Sequence, residues 1–165
     1  MKNRLIFLLF SLPILVSTRS LGEEQLGLDL VRYMVNIYGK CIGAKLAGTV
    51  VTSKCQGVVV DVAYLNGRRN LIGMLGEGEM LITFSGTKET NPMPDKYELQ
   101  LDRVTLASRN RPVEEVAGSG RCTVFGKLSE GLTILCLLKT HSGNYELAFL
   151  GNGNVKWEKK KISSP

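Results

Sequence analysis

The amino-acid sequence predicts a mainly β fold: an antiparallel β-sandwich or barrel of roughly 7–9 short strands with one N-terminal helix packed against it. Short runs of apolar and β-branched residues alternate with clusters of turn residues along most of the chain. Asn66-Gly67 separates two such runs, and this dipeptide tolerates the positive φ angles of a tight hairpin turn. The sequence shows no strand–helix–strand alternation, which disfavours a parallel α/β sheet.

Residues 1–20 have the layout of a secretory signal peptide. Lys2 and Arg4 precede an apolar stretch, Leu5–Val16, that is shorter than the roughly 20 residues of a membrane-spanning helix. We expect cleavage within two residues of position 20, which leaves residues 21–165 as a single β-rich domain with a frayed C-terminal tail. An uncleaved membrane anchor is the alternative interpretation.

The one predicted helix follows the cleavage site. Glu23 and Glu24 place negative charge where a helix N-terminus favours it, and Gly39 is a suitable stop. Apolar residues recur between them at helical spacing: Leu28, Val31, Val35 and Tyr38. Their β-branched and aromatic content leaves a strand over residues 31–38 as the alternative.

The clearest hairpin joins Val58–Leu65 to Arg68–Leu75 across the Asn66-Gly67 turn. The apolar alternation slips once, at Asp102-Arg103, which predicts a β-bulge. Further strands are predicted at Glu79–Phe84, Tyr97–Leu106, Cys122–Lys127, Leu132–Thr140, Tyr145–Leu150 and Val155–Glu158.

Polar and glycine-rich segments between these strands are predicted to be loops and turns. The two longest are Ser85–Lys96, which contains two prolines, and Arg109–Gly120. Shorter turns are expected at Ser142-Gly143-Asn144 and Gly151-Asn152-Gly153.

The four cysteines are interpreted as a disulfide framework, because an even cysteine count behind an export signal is typical of one. Cys41 and Cys55 enclose thirteen residues, and so do Cys122 and Cys136. Each pair suits a hairpin whose opposed residues lie close enough for a disulfide. Of the three possible connectivities, we expect local pairing, so that each disulfide closes its own hairpin.

Composition places limits on the partners. The net charge is +6 for the whole chain and falls to +3 once Lys2, Arg4 and Arg19 leave with the signal peptide. This small excess, with few aromatic residues, disfavours nucleic acid. The sequence contains no Asn-x-Ser/Thr glycosylation site, which favours a bacterial periplasmic or secreted protein.

Residue patterns that support catalysis are scarce. A hydrolytic triad needs a base, and the single histidine, His141, falls in a predicted turn. The cysteines lack the close spacing of zinc ligands. Asp95, Glu98 and Asp102 are interpreted as a solvated strand face, because basic residues are interleaved with them. We predict no catalytic residue, no metal and no cofactor.

Four basic residues in or beside predicted turns are the candidate binding residues: Arg68, Arg69, Arg109 and Arg111. Charges at such positions are usually just solvated, but four that converge on one face could bind an acidic partner, an anionic glycan or a lipid headgroup.

The functional hypothesis is an exported, non-catalytic β-domain that binds another protein or an anionic envelope or surface component. Loops on a rigid sheet are where binding residues concentrate, so we expect the contacts at Ser85–Lys96 and at residues 109–118. Two alternatives remain. One is a small secreted hydrolase that uses a pair of carboxylates, and the other is a β-barrel that carries a small apolar ligand.

Overall fold

Eight antiparallel strands close into a barrel, and a ninth short strand extends one of them. The structure is a computed structural model that describes residues 31–93 and 95–158. The strands are β1 (Val31–Leu46), β2 (Thr49–Val50), β3 (Cys55–Tyr64), β4 (Arg69–Leu75), β5 (Met80–Met93), β6 (Lys96–Ser108), β7 (Arg111–Lys127), β8 (Gly131–Thr140) and β9 (Gly143–Glu158). A 3₁₀ helix, Thr52–Lys54, lies between β2 and β3.

The strand order is that of an up-and-down meander. From β3 to β9 each strand pairs with the next one in sequence, β1 pairs with β3, and β9 pairs back onto β1. The pairing of β1 with β9 removes the open edges that a flat sheet would have. The predicted antiparallel, mainly β fold is therefore confirmed, and the structure selects the barrel.

The predicted N-terminal helix is wrong over residues 31–39, where the structure has the first half of β1. Val35 and Ile37 are buried at two-residue spacing, so the segment has the period of a strand. Pairing with both β3 and β9 supplies tertiary contacts that override the helical spacing of its apolar residues. The signal peptide, the helix positions before residue 31 and the C-terminal tail lie outside the described residues.

The Asn66-Gly67 hairpin prediction is confirmed. β3 and β4 pair directly, and Gly67 has φ +82°, a conformation that favours glycine. The β8–β9 turn lies close to the predicted Ser142-Gly143-Asn144, but it consists of His141 and Ser142, and Gly143 already begins β9.

The two long predicted loops are wrong. β5 continues to Met93 and pairs with β6, so most of Ser85–Lys96 belongs to a strand. β7 begins at Arg111, which leaves only two residues of turn before it. The predicted turn at Gly151–Gly153 is an irregularity within β9, where the register against β1 shifts. The first five residues of β7 are exposed to solvent, and ladder pairing does not depend on polarity.

The interior of the barrel is filled by side chains from alternate positions of the strands. Phe84 and Phe149 are fully buried, as are Leu71, Leu99 and Ile134. An eight-stranded barrel has an interior just wide enough for side chains to fill. The large apolar residues that line this interior form one continuous hydrophobic core.

The predicted bulge at Asp102 is confirmed. Ser85 pairs with Arg103 and the next residue, Gly86, pairs with Leu101, so Asp102 is the extra residue on β6. A Cβ atom at Gly86 would clash with the carbonyl oxygen of Gln100, which explains glycine at this position. The bulge brings Asp102 close to arginine side chains of the outer surface.

Both disulfides join the predicted partners, Cys41 to Cys55 and Cys122 to Cys136. Cys122 lies directly opposite Cys136 in the β7–β8 hairpin, as predicted, and both are buried. The other disulfide does not close a simple hairpin. It links β1 to the start of β3, around an excursion that contains β2 and the 3₁₀ helix.

Candidate functional site

The four candidate arginines do not form one patch. Arg68 and Arg69 lie at the β3–β4 turn, whereas Arg109 and Arg111 are exposed at the β6–β7 turn. Successive turns of an up-and-down barrel alternate between its two ends, so these two turns are at opposite ends. The structure therefore does not bring the four basic residues together on one face.

Arg69 lies inside the barrel, in a buried ion pair with Asp61. Its Nε and Nη2 donate to the two carboxylate oxygens at 2.8 and 2.6 Å, and the side chains of Arg69 and Asp61 are 11% and 3% exposed. Burial alone would lower the pKa of Arg69, but hydrogen bonding and attraction to Asp61 raise it above its ordinary value. Arg69 stays charged at any relevant pH.

Aromatic rings enclose this ion pair. The guanidinium carbon of Arg69 lies 3.9 Å from the ring centre of Tyr97 and 5.6 Å from that of Tyr33. Tyr33 in turn contacts Trp157 edge-on, with ring centres 5.8 Å apart. The two contacts of Arg69 with Tyr97 and Tyr33 are cation–π interactions that hold the guanidinium in place, so Arg69 has a structural role.

Arg68 borders a second feature, a shallow hollow of about 360 Å³ on the outer surface of β3 to β7. We call it the polar hollow. It is lined by Tyr64, Asn66, Arg68, Asn70, Ser85, Arg103, Thr105 and Glu115.

Hydrogen bonds connect most of the side chains of the polar hollow. The Ser85 hydroxyl donates to Asn70 Oδ1 at 2.7 Å, and Asn70 Nδ2 donates to the Tyr64 hydroxyl at 3.1 Å. Arg68 donates to both oxygens of Asp102, and Arg103 donates to Glu115 at 2.7 Å. The hollow is therefore built from side chains that already have fixed positions.

Partial burial would raise the pKa of the Asp102 carboxyl, but hydrogen bonds from Arg68 and Arg103 outweigh burial and lower it. A group with a lowered folded pKa contributes stability at pH values above its unfolded pKa, and that contribution is lost as pH falls through the folded pKa.

We expect Asp102→Asn to lower the free energy of unfolding by about 1 kcal/mol or less at pH 7, because the carboxylate is 42% exposed and screened. Urea unfolding at pH 7 and at pH 2.5 checks this. The difference should shrink in acid, and a difference that does not change with pH would contradict it.

A third feature is an apolar area on the outer surface of β1, β7, β8 and β9, which we call the docking face. Three of its exposed residues are Phe125, Leu135 and Leu150, each between 41% and 43% exposed. Thr133 pairs with both Phe125 and Leu150, and Leu135 is the next outward residue on β8. The three side chains therefore occupy neighbouring positions of the sheet.

Small residues form part of the docking face. Ala148 pairs with Leu135 on one side and with Gly43 on the other, and Ile42 beside Gly43 is 46% exposed. A hollow of about 420 Å³ lies over these small residues and is bordered by Leu137. The docking face thus combines protruding apolar side chains with a recess.

Basic side chains border the docking face. Lys40 pairs with Leu150, and Arg121, which pairs with Leu137, is 72% exposed and 3.9 Å from its carboxylate neighbour Glu98. Three ion pairs also lie along the rim: Lys45–Glu146, Lys96–Glu98 and Lys127–Glu130. Basic groups thus outnumber carboxylates around the apolar area, giving it a positive rim.

The remaining sequence candidates have unremarkable surroundings. His141 is exposed in the β8–β9 turn. Among residues of described burial, Asp61 is the buried carboxylate, and it is held by Arg69. The described part of the chain contains no group of three or more histidine, cysteine or acidic side chains placed to hold a metal ion.

Sequence reasoning missed the docking face because it treats runs of apolar residues as core. In Ile134-Leu135-Cys136-Leu137-Leu138, a half-buried strand would have polar residues at positions 135 and 137. The break in alternation is the signal that could have identified an apolar outer surface.

Comparison of the chain with protein-family models found no match, and searches of curated proteins and of solved structures found no significant match. The described residues contain no helix with the length and hydropathy needed to cross a membrane. The two disulfides are consistent with an oxidising environment such as an exported protein meets.

Proposed function

We propose that the chain is an exported, non-catalytic binding module of the bacterial periplasm or extracellular space, and that it docks a protein partner on the docking face. The observation that carries this proposal is the neighbouring placement of Phe125, Leu135 and Leu150 on the outer surface. Contiguous exposed apolar side chains with a polar rim are typical of interaction sites.

The recess supports contact through a single inserted side chain. Gly43 and Ala148 leave a hollow beside Leu135 and Leu137 that suits one inserted apolar side chain. Interfaces are usually dominated by a few such anchors in pockets. The outer surface of a barrel is convex, so a flat partner surface would touch it over only a small area. A partner with a protruding leucine or aromatic residue can instead place that side chain in the hollow.

The charged rim supports a partner with an acidic contact surface. The excess of basic groups, with Lys40 and Arg121 foremost, favours a contact surface that carries carboxylates around the apolar anchor. Two copies of this chain would bring like-charged rims together, so a different protein is favoured over a second copy. An anionic envelope component is the alternative partner.

The two other functions have less support. A carboxylate hydrolase needs two facing carboxylates, whereas the buried Asp61 is bound to Arg69. A carrier of apolar ligands needs interior space, whereas the interior positions hold large buried side chains such as Phe84 and Phe149.

Leu135→Ser tests the docking face, with Val113→Ser as the matched control. Val113 is more exposed, at 67%, and lies near the start of β7, away from the docking face. Loss of a hot-spot side chain of about 2 kcal/mol lowers affinity roughly thirtyfold. We expect pull-downs from the native compartment to recover a protein with the wild type and with Val113→Ser, but not with Leu135→Ser.

Two other outcomes of this pull-down would argue against a protein partner at the docking face. Equal recovery with Leu135→Ser would contradict the docking face. Sedimentation of the wild type with phosphatidylglycerol vesicles, but not with phosphatidylcholine vesicles, and without a protein partner would favour the envelope alternative.

A further inference from the structure

We infer that the polar hollow on the outer surface of β3 to β7 is a second binding site, and that its ligand is a neutral saccharide. The site is separate from the docking face, and the inference does not depend on the proposed partner. At about 360 Å³, the hollow lies at the lower end of the range of roughly 300–1,000 Å³ found for small-molecule sites. This is room for one or two sugar units.

The strand register creates the hollow. Asn70, Ser85 and Arg103 follow one another across β4, β5 and β6, while Thr105 and Glu115 pair across β6 and β7. Ser85 and Thr105 are short, so they leave a depression between the longer side chains around them. All five positions are on paired strands, so the backbone that carries the site is rigid.

The side chains offer both donors and acceptors, as sugar hydroxyls require. Asn70 and Ser85 are joined at 2.7 Å, Asn70 and Tyr64 at 3.1 Å, and each of these groups keeps hydrogen-bonding capacity beyond these contacts. Glu115 has one oxygen bound to Arg103 and a second that can accept. Because these side chains are already held, binding would cost little additional ordering.

Charge balance selects a neutral ligand. Arg68 donates to both oxygens of Asp102, at 2.7 and 3.1 Å, and Arg103 donates to Glu115. Each guanidinium therefore already faces a carboxylate, and a phosphate or sulfate group would meet those carboxylates as well as the arginines. A polyhydroxyl ligand has no such penalty, and Tyr64 adds an aromatic side chain to the lining.

The test is an NMR titration of the ¹⁵N-labelled, disulfide-bonded protein with three neutral probes: maltotriose, cellotriose and tri-N-acetylchitotriose. Inorganic phosphate and a sulfated disaccharide are the anionic comparators. We expect at least one neutral probe to cause saturable shifts at the amides of Tyr64, Asn70 and Ser85. We expect both comparators to leave these amides unchanged.

Thr105→Trp fills the hollow, and Thr49→Trp adds the same bulk at an exposed position of β2, outside the hollow, as a matched control. An aromatic residue suits an outward strand position, so both variants should keep the dispersed spectrum of the folded protein. Thr105→Trp should weaken saccharide binding by about tenfold or more, whereas Thr49→Trp should stay within about twofold of the wild type. Three results would overturn the inference: no response to any neutral probe, stronger shifts with phosphate, or equal binding by Thr105→Trp.

Discussion

Asp61→Ala is expected to destabilise the barrel by about 3–5 kcal/mol, because it leaves the buried guanidinium of Arg69 without its bidentate carboxylate. Arginine cannot lose its proton to relieve this cost. Chemical unfolding in urea, followed by circular dichroism, measures the change in the free energy of unfolding.

The double variant Asp61→Leu with Arg69→Met is the control. Replacing both members of a buried ion pair by apolar side chains of similar size is often close to neutral. We therefore expect the double variant to be more stable than Asp61→Ala. If Asp61→Ala cost less than about 1 kcal/mol, the ion pair would not be the tightly coupled buried element that the structure shows.

Replacing Cys122 and Cys136 together by alanine is expected to cost about 4 kcal/mol, more than the same change at Cys41 and Cys55. Both disulfides span a sequence separation of 14, so each contributes about 3 kcal/mol through loop closure. Cys122 and Cys136 are also buried in the core, so their removal leaves a void that adds about 1–2 kcal/mol.

The comparison of the two cysteine pairs isolates burial, because loop length is the same in both. Thermal and urea unfolding of the two double variants, side by side, give the difference in stability. Equal losses would show that the buried sulfurs do not add to core packing. A larger loss at Cys41 and Cys55 would show that the link from β1 to β3 matters more than the hairpin disulfide.

Short-range signals in the sequence predicted the local features well. The Asn66-Gly67 turn, the bulge at Asp102 and the facing cysteines of β7 and β8 each depend on residues close in sequence. Their geometry follows from backbone preference and two-residue alternation, which a single sequence displays.

Features that depend on distant strands were not predictable in the same way. β1 carries apolar residues at helical spacing, and its strand conformation results from pairing with β3 and with β9 at the far end of the chain. The polar residues of β5 and β7 resembled loops because barrel strands need only one apolar face. The residues of β1 carry no local signal for its pairing with β3 or with β9.

The same distinction between short-range signals and contacts of distant strands applies to the candidate sites. Arg68 and Arg69 are adjacent in sequence, yet one lies on the outer surface and the other inside, because neighbouring strand residues point to opposite faces. The docking face and the polar hollow each combine residues from several strands. Their composition became visible only when the strand register placed Leu135 beside Ala148 and Asn70 beside Ser85.

The most direct test of the docking face is site-specific photo-crosslinking in the producing cell. A photoreactive phenylalanine analogue at position 135 or 150 should form an adduct with a protein partner, and the crosslinked segment should contain acidic residues around an apolar one. The same analogue at position 113, which is more exposed, should form none. Adducts of equal yield at position 113, or none at positions 135 and 150, would contradict the account.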